Sequence, residues 1–171
     1  GDLQDALDSY EAGIHLAEIS SGPVSALILR NNKAFLLDEM GDRQAAAQMC
    51  RDTIDRYSSA DGKPGLLAGI PMLPLGCFLY RSGELEQAYT VLTQGINLVR
   101  RMGLYDILTA PANNSLEYVL ADMGRLEEAL ALNREVRRRA AKHGLQVVVN
   151  ESDWMGGWLQ LRAGNFTPAV A

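Results

Sequence analysis

Apolar residues recur along most of this chain at spacings of three and four, the pattern of an amphipathic α-helix. The clearest stripe follows residue 83 and consists of Leu85, Ala88, Tyr89, Leu92, Ile96 and Val99. Similar stripes follow residues 1 and 41, and shorter ones precede residues 41 and 124. The β-branched run in Gln146–Asn150 lies where this spacing predicts a helix. The pattern therefore predicts an all-α protein without strands.

A six-residue phrase that begins with glycine and ends with alanine occurs five times along the chain. Its glycines are Gly1, Gly41, Gly83, Gly124 and Gly164, at spacings of 40, 42, 41 and 40 residues. A glycine between an apolar stretch and acidic residues is typical of a left-handed residue that ends one helix just before another begins. The alanine then falls in the first turn of the second helix, where a tight crossing leaves room for only a methyl group.

The phrase and its flanking stripes predict a unit of helix, tight turn, helix and loop, repeated about every 41 residues. Such units stack into a solenoid because none can bury its apolar face alone. We predict one helical repeat domain over residues 1–171, cut from a longer array. Pro71 and Pro74 each remove a backbone donor, so the helix before Gly83 is expected to start late or bend near Met72. Pro168 lies in an opening turn, where proline is tolerated.

The repeated phrase between two helices resembles the tetratricopeptide repeat (TPR). The segments Pro74–Ala88 and Ser115–Ala129 carry the resemblance, the first with Gly76 seven residues before the turn glycine. The period departs from the pattern, because it is about 41 residues rather than about 34.

The longer period and two loops, Arg100–Leu104 and Lys142–Leu145, are similar to the MalT-like repeat region of large ATP-dependent LuxR-type regulators. This resemblance implies a right-handed superhelical solenoid that acts as the sensor segment of a bacterial transcription regulator. The ATPase and the DNA-binding helix-turn-helix would then lie outside this fragment. An inducer or a regulatory protein is expected on the concave face, where it would shift the parent protein between repressed and self-associating forms.

Two other functions stay open beside the sensor. The chain is also consistent with a repeat adaptor that holds an extended peptide of a partner protein, or with a structural spacer that binds no ligand. Replacing Tyr118 or Trp158 with alanine would distinguish the two. Loss of small-molecule binding favours a sensor, and loss of a protein partner favours an adaptor.

The net charge of −5 makes nucleic acid or an anionic membrane an improbable partner for this fragment as a whole. A basic run near residue 140 consists of Arg134, Arg137, Arg138, Arg139 and Lys142. Cations there complement the negative end of a helix, which favours a solvated face over a nucleic-acid site. With no apolar run of eighteen residues and no visible leader, a cytoplasmic location is expected. Cys50 and Cys77 have no CxxC spacing, which fits a reducing compartment without structural zinc.

Motifs for catalysis are missing from the sequence: it contains no P-loop, no HExxH and no GxSxG. Its two histidines, His15 and His143, belong to different repeats, so they do not suggest a metal site. We expect no enzyme activity and no cofactor in this fragment.

The first helix of each unit is expected to line the concave groove. Counting back from the turn glycines assigns nine residues to this ligand- or partner-binding groove: Asn31, Phe35, Tyr80, Arg81, Asn114, Tyr118, Trp154, Trp158 and Arg162. Aromatic rings beside amide and guanidinium groups suit a pocket that stacks an apolar or sugar face and hydrogen-bonds its edges. Trp154 and Trp158, four residues apart, are predicted to form a stacking pair. The alternative is that these aromatic residues pack between neighbouring repeats. Cys77 is expected in the core in either case.

Overall fold

The computed structural model describes residues 2–20, 23–103 and 106–165, and these fold almost entirely into α-helices. Eight α-helices lie within these ranges: α1 (Asp2–Ser20), α2 (Pro23–Glu39), α3 (Arg43–Arg56), α4 (Gly69–Arg81), α5 (Leu85–Arg101), α6 (Asp106–Asp122), α7 (Leu126–Lys142) and α8 (Gln146–Arg162). A 3₁₀ helix, Leu66–Ala68, precedes α4. The described residues contain no strand, and one isolated bridge joins Ser58 to Pro64. The all-α prediction is confirmed, including the helix predicted over the valine run.

The chain divides into two compact units, residues 1–103 and 104–171. Unit 1 contains α1 to α5, and unit 2 contains α6 to α8. Within each unit, helices that follow one another in sequence pack against one another, and α2 also contacts α4 as α6 contacts α8. Helices two apart therefore touch, as stacked repeats require. A single domain over residues 1–171 stays a prediction.

The predicted turn glycines end their helices in the left-handed conformation. Gly41, Gly83, Gly124 and Gly164 have φ values of 92°, 81°, 77° and 74°. At the first of these turns, Gly41 N donates to Asp38 O at 3.0 Å and Asp42 N to Leu37 O at 2.9 Å. This pair of bonds is the Schellman arrangement, and the same pattern recurs at the other three glycines. Gly1 and the phrase residues beyond Asn165, with Pro168 and Ala169, lie outside the described residues.

The alanine of the phrase sits at the crossing of two helices. Ala46, Ala88 and Ala129 are each fully buried in the first turns of α3, α5 and α7. A larger side chain at this position would have to displace the neighbouring helix. The tight crossing predicted for the alanine is therefore seen in three of the five copies.

Helix α4 departs from the other first helices in the way that its prolines predict. It has 13 residues where α2, α6 and α8 have 17, and the 3₁₀ turn precedes it. Pro71 lies in its first turn and Pro74 inside it, and every residue from Gly69 to Leu79 is buried. A Cβ on Gly76 would overlap Leu92 Cγ of α5, so this glycine allows α4 and α5 to pack closely.

Candidate functional site

Equivalent positions of α6 and α8 in unit 2 give three residue pairs, each 40 residues apart in sequence, and two of these pairs are in contact. We call these pairs the ladder: Asn114 with Trp154, Tyr118 with Trp158, and Asp122 with Arg162. The Tyr118 and Trp158 rings meet edge to face, with centroids 4.9 Å apart. Such a contact stabilises by roughly 0.5–1.5 kcal/mol beyond the area that it buries. The structure thus joins two of the predicted site residues across helices.

The charged pair of the ladder lies one turn further along both helices. Arg162 Nη1 donates to Asp122 Oδ1 at 2.7 Å, and the Arg162 guanidinium carbon lies 5.0 Å from the centre of the Trp158 ring. The arginine therefore holds the tryptophan face and the carboxylate together. Both charged side chains are partly exposed, so each contact contributes at most about 1 kcal/mol.

The remaining pair of the ladder is open. Asn114 is half-buried, and Trp154 is 62% exposed. The Trp158 ring contacts Tyr118 and Arg162 rather than Trp154, and the stacking of both tryptophans on a ligand stays a prediction. Within the described ranges, neither Asn114 nor Trp154 makes a hydrogen bond or ring contact. An indole face and an amide are thus available at equivalent positions of the ladder.

Unit 1 has corresponding contacts between α2 and α4, but they are more buried. Phe35 meets Phe78 edge to face, with centroids 5.4 Å apart, and Asn31 Nδ2 donates to the carbonyl of Ile70 at 3.0 Å. Asp38, whose side chain is 1% exposed, accepts from Arg43 Nε at 2.6 Å and also from Arg81. Here the predicted site residues mainly join the helices.

The nine predicted site residues are therefore divided between the two units. Asn31, Phe35, Tyr80 and Arg81 belong to unit 1, and the other five form the ladder with Asp122. Tyr80 is half-buried and Cys77 is buried, as expected for a core thiol. Binding by these residues stays a prediction, and unit 2 presents the more exposed set.

A buried polar layer in unit 2 was missed by the sequence analysis. Asn133 Nδ2 of α7 donates to Glu117 Oε2 of α6 and to the Ser152 carbonyl of α8, both at 3.0 Å. The three residues interrupt three apolar stripes, and all three are buried. Glu117 lies one residue after Leu116 and three before Leu120. This spacing on the apolar face is the signal that could have identified it.

Glu117 is 0% exposed, and its only hydrogen-bond donor in the described structure is the Asn133 amide. Burial raises the pKa of Glu117 from 4.5 to about 7, although the hydrogen bond from Asn133 lowers it in part. Burial also raises the pKa of Tyr118, and the neighbouring Glu117 charge adds to this effect. The carboxyl group is therefore able to change its protonation state near neutral pH.

An open pocket of about 360 Å³ lies between α3 and the end of α4 in unit 1. Its apolar part comes from Ala47, Phe78 and Leu79, and its cations are Arg43 and Arg51. Arg43 is paired with Asp38, whereas Arg51 makes no ion pair with any described residue. The pocket thus combines an apolar floor with one available guanidinium group.

The basic run of α7 is mostly exposed. Arg137 pairs with Asp153 of α8, and Arg139 lies 3.7 Å from Glu135. His15 and His143 are exposed. Nowhere in residues 2–20, 23–103 and 106–165 do three metal-ligating side chains cluster. In the same ranges, no helix has the length and apolar character needed to cross a membrane.

Comparison with known proteins identifies the repeat type. No protein-family model matches the chain, and no curated protein matches it either. Among solved structures, a protein from Podosopora anserina described as a putative kinesin light chain with nearly identical TPR-like repeats is similar with a TM-score of 0.65. It is 16% identical, and the match covers 96% of this chain and 80% of that chain. A point variant of that protein is 15% identical with the same TM-score and coverage. At such identities the likeness concerns the fold alone: the chain has a TPR-like helical repeat fold.

Proposed function

We propose that this chain is a non-catalytic recognition domain that binds an extended segment of a partner protein along the ladder of unit 2. The observation that carries the proposal is the open pair, Asn114 and Trp154. Two pairs of the ladder are closed by contacts between their own side chains, while the third leaves an indole 62% exposed and an amide unbonded. TPR-like repeats generally mediate protein–protein interaction, which supports this function.

The chemistry of the open pair indicates what a partner must offer. An apolar or aromatic side chain gains most by covering the Trp154 indole, because large aromatic surfaces dominate the energetics of interfaces. The Asn114 amide has both a donor and an acceptor, so it can bond to a peptide group of an extended backbone. The partner is therefore expected to be a segment with a bulky apolar residue, bound without regular structure of its own.

The experiment is a selection of peptides from a random display library on the chain, followed by affinity measurements on variants. We expect Trp154→Ala to weaken binding of the selected peptides by about 10- to 30-fold, since a central aromatic contact contributes about 1.4–2 kcal/mol. Leu66→Ala is the matched control, because Leu66 is an exposed apolar residue of unit 1 and does not belong to the ladder. Selected peptides that bind W154A as tightly as the parent chain would exclude the ladder as the site.

A second candidate is the sensor segment of a MalT-like LuxR-type regulator. Its support is the period of about 41 residues, the two loop sequences that resemble this family, and the pocket at Arg43 and Arg51. A volume of about 360 Å³ is within the range of small-molecule sites. Glu84 also lines the pocket, so an anionic effector would have to bind at the Arg51 guanidinium. Thermal-shift screening of small carboxylates and phosphates tests it. Stabilisation that Arg51→Glu abolishes supports the effector site, and no stabilisation by any of them contradicts it.

A further inference from the structure

Glu117 and Asp38 are the two fully buried carboxyl groups of the described structure, and their surroundings differ. Asp38 receives hydrogen bonds from two guanidinium groups, those of Arg43 and Arg81. Glu117 receives one, from the uncharged Asn133 amide. A buried carboxylate without a cation is far less stable than one held by two, so the neutral acid is the form that suits the site of Glu117.

No charged group around Glu117 compensates its carboxylate. Helix α6 packs against α7 and α8, which contribute Asn133 and Ser152 to this layer. The charged residues adjacent in sequence to Asn133 and Ser152 are Arg134, Glu151 and Asp153, and all three are exposed. Asp153 pairs with Arg137 at the surface. The nearest titratable neighbour is Tyr118, the next residue. No described cation bonds to Glu117.

Protonation also fits the unpartnered atoms of the layer. Glu117 Oε1 has no hydrogen-bond partner among the described residues, and neither has Asn113 Oδ1 one turn earlier on α6. The buried Ser152 hydroxyl of the same layer is also without a partner, and it can donate or accept. The neutral acid therefore adds a donor beside two unused acceptors, whereas the carboxylate adds only another acceptor. The Asn133 side chain is closely packed against α8, because a Cβ on Gly156 would lie 2.8 Å from Asn133 Oδ1.

We propose that Glu117 makes unit 2 a pH-responsive unit: the packed arrangement of α6, α7 and α8 holds the neutral acid, and ionisation loosens it together with the Tyr118–Trp158 contact. Tyr118 follows Glu117 directly, and Ser152 precedes Trp154 by two residues, so the layer lies behind the ladder. Its effect on peptide binding rests on the proposed function, whereas the loosening itself does not. Partner binding at the ladder is then stronger below neutral pH than above it.

Tryptophan fluorescence gives a readout that needs no partner. The chain has two tryptophans, Trp154 and Trp158, and both lie in unit 2. We expect the emission of the native chain to shift to longer wavelength as the pH rises through about 7, as Trp158 loses its contacts. Glu117→Gln keeps the neutral shape and should abolish the shift, while the exposed Glu151→Gln should leave it unchanged. A parent chain without the shift, or a shift that persists in E117Q, would overturn the proposal.

A second measurement avoids any variant that fails to fold. Carbon-13 NMR of the glutamate side-chain carboxyls follows the ionisation of Glu117 in the unaltered chain. A carboxyl that titrates near pH 7 supports the proposal, and titration of all glutamates between pH 4 and 5 contradicts it. If the fluorescence shift occurs but no selected peptide binds at either pH, the pH response stands and the ladder as a binding site fails.

Discussion

Asp38 of α2 forms an ion pair with Arg81 of α4, and Asp122 of α6 forms one with Arg162 of α8. The surroundings of the two pairs differ. Asp38 is buried and its carboxylate also binds Arg43, while Asp122 is partly exposed where it binds Arg162. A buried ion pair is costly to break because removing one partner leaves the other without compensation. The two aspartates therefore provide a matched comparison of the same contact.

We expect Asp38→Asn to reduce the free energy of unfolding by about 2 kcal/mol. This value is below the usual figure of about 3–5 kcal/mol for a buried pair because both arginines are substantially exposed. Asp122→Asn should cost less than about 1 kcal/mol, the value of an exposed pair. Urea unfolding followed by circular dichroism measures both. A loss for D38N no larger than that for D122N would contradict the role given to burial.

Glu117 provides a prediction for stability as well as for fluorescence. Because its pKa is about 7 in the folded chain and near 4.5 when unfolded, the folded state binds the proton more tightly. The free energy of unfolding therefore falls as the pH rises from 4.5 to 7, by about 3 kcal/mol in total. Above pH 7 the ionisation of Glu117 changes it no further. Relative to E117Q, the unfolding equilibrium constant should rise by a factor on the order of 100 between about pH 5 and pH 8.5. Denaturation midpoints that shift equally in the parent chain and in E117Q between the two pH values would refute this.

At the scale of a helix pair, the close approach of α4 to α5 depends on glycine. Gly76→Ala should destabilise the chain by about 1–3 kcal/mol, since its Cβ would overlap Leu92 and neither helix has room to move. Gly157→Ala on α8 is the control, because no atom lies within 4 Å of its Cβ position. That change should stabilise by up to about 1 kcal/mol through helix propensity alone. Equal effects of G76A and G157A on the melting temperature would show that the contact does not matter.

Several elements could be predicted from the sequence because a local cause fixes each of them. Each described turn glycine ends its helix in the left-handed conformation, and the two prolines account for the shorter α4. The partner of Trp158 could not be predicted in this way. Spacing along α8 offers Trp154, whereas the contact with Tyr118 depends on which turn of α6 faces it. The burial of Glu117 has the same origin, since it requires two neighbouring helices to close over one residue.

For the whole molecule, contacts join helices that are neighbours or next-but-one neighbours in the chain within each unit. Proteins with such local contacts fold quickly, because little loop entropy is lost before packing stabilises the chain. We expect the main refolding phase to be complete within milliseconds in a stopped-flow double jump. Brief unfolding keeps the six prolines in their native isomers. A main phase lasting seconds under these conditions would contradict this expectation.

The family of the whole protein is less determined than its fold. The repeat period and the turn glycines define TPR-like units, and solved structures only 16% identical share the fold. The surface side chains that would distinguish a regulator from an adaptor do not recur with the repeat period, so the period does not predict them. The LuxR-type assignment therefore stays a prediction that the flanking sequence of the parent gene would test.

The 40-residue step of the ladder has a consequence for how such a surface changes over time. Each pair links a residue to the position one repeat later, so a tandem duplication of residues 125–164 places a second copy of Trp158 opposite Trp158 and a second copy of Arg162 opposite Arg162. The copied segment carries its own turn glycine and its own buried alanine, Ala129. One such event lengthens the surface by a set of pairs, but the new charged pair then consists of two guanidinium groups and requires a compensating substitution to an acid. Descent by copying whole segments, followed by divergence of the exposed positions, is therefore an accessible route to new partners.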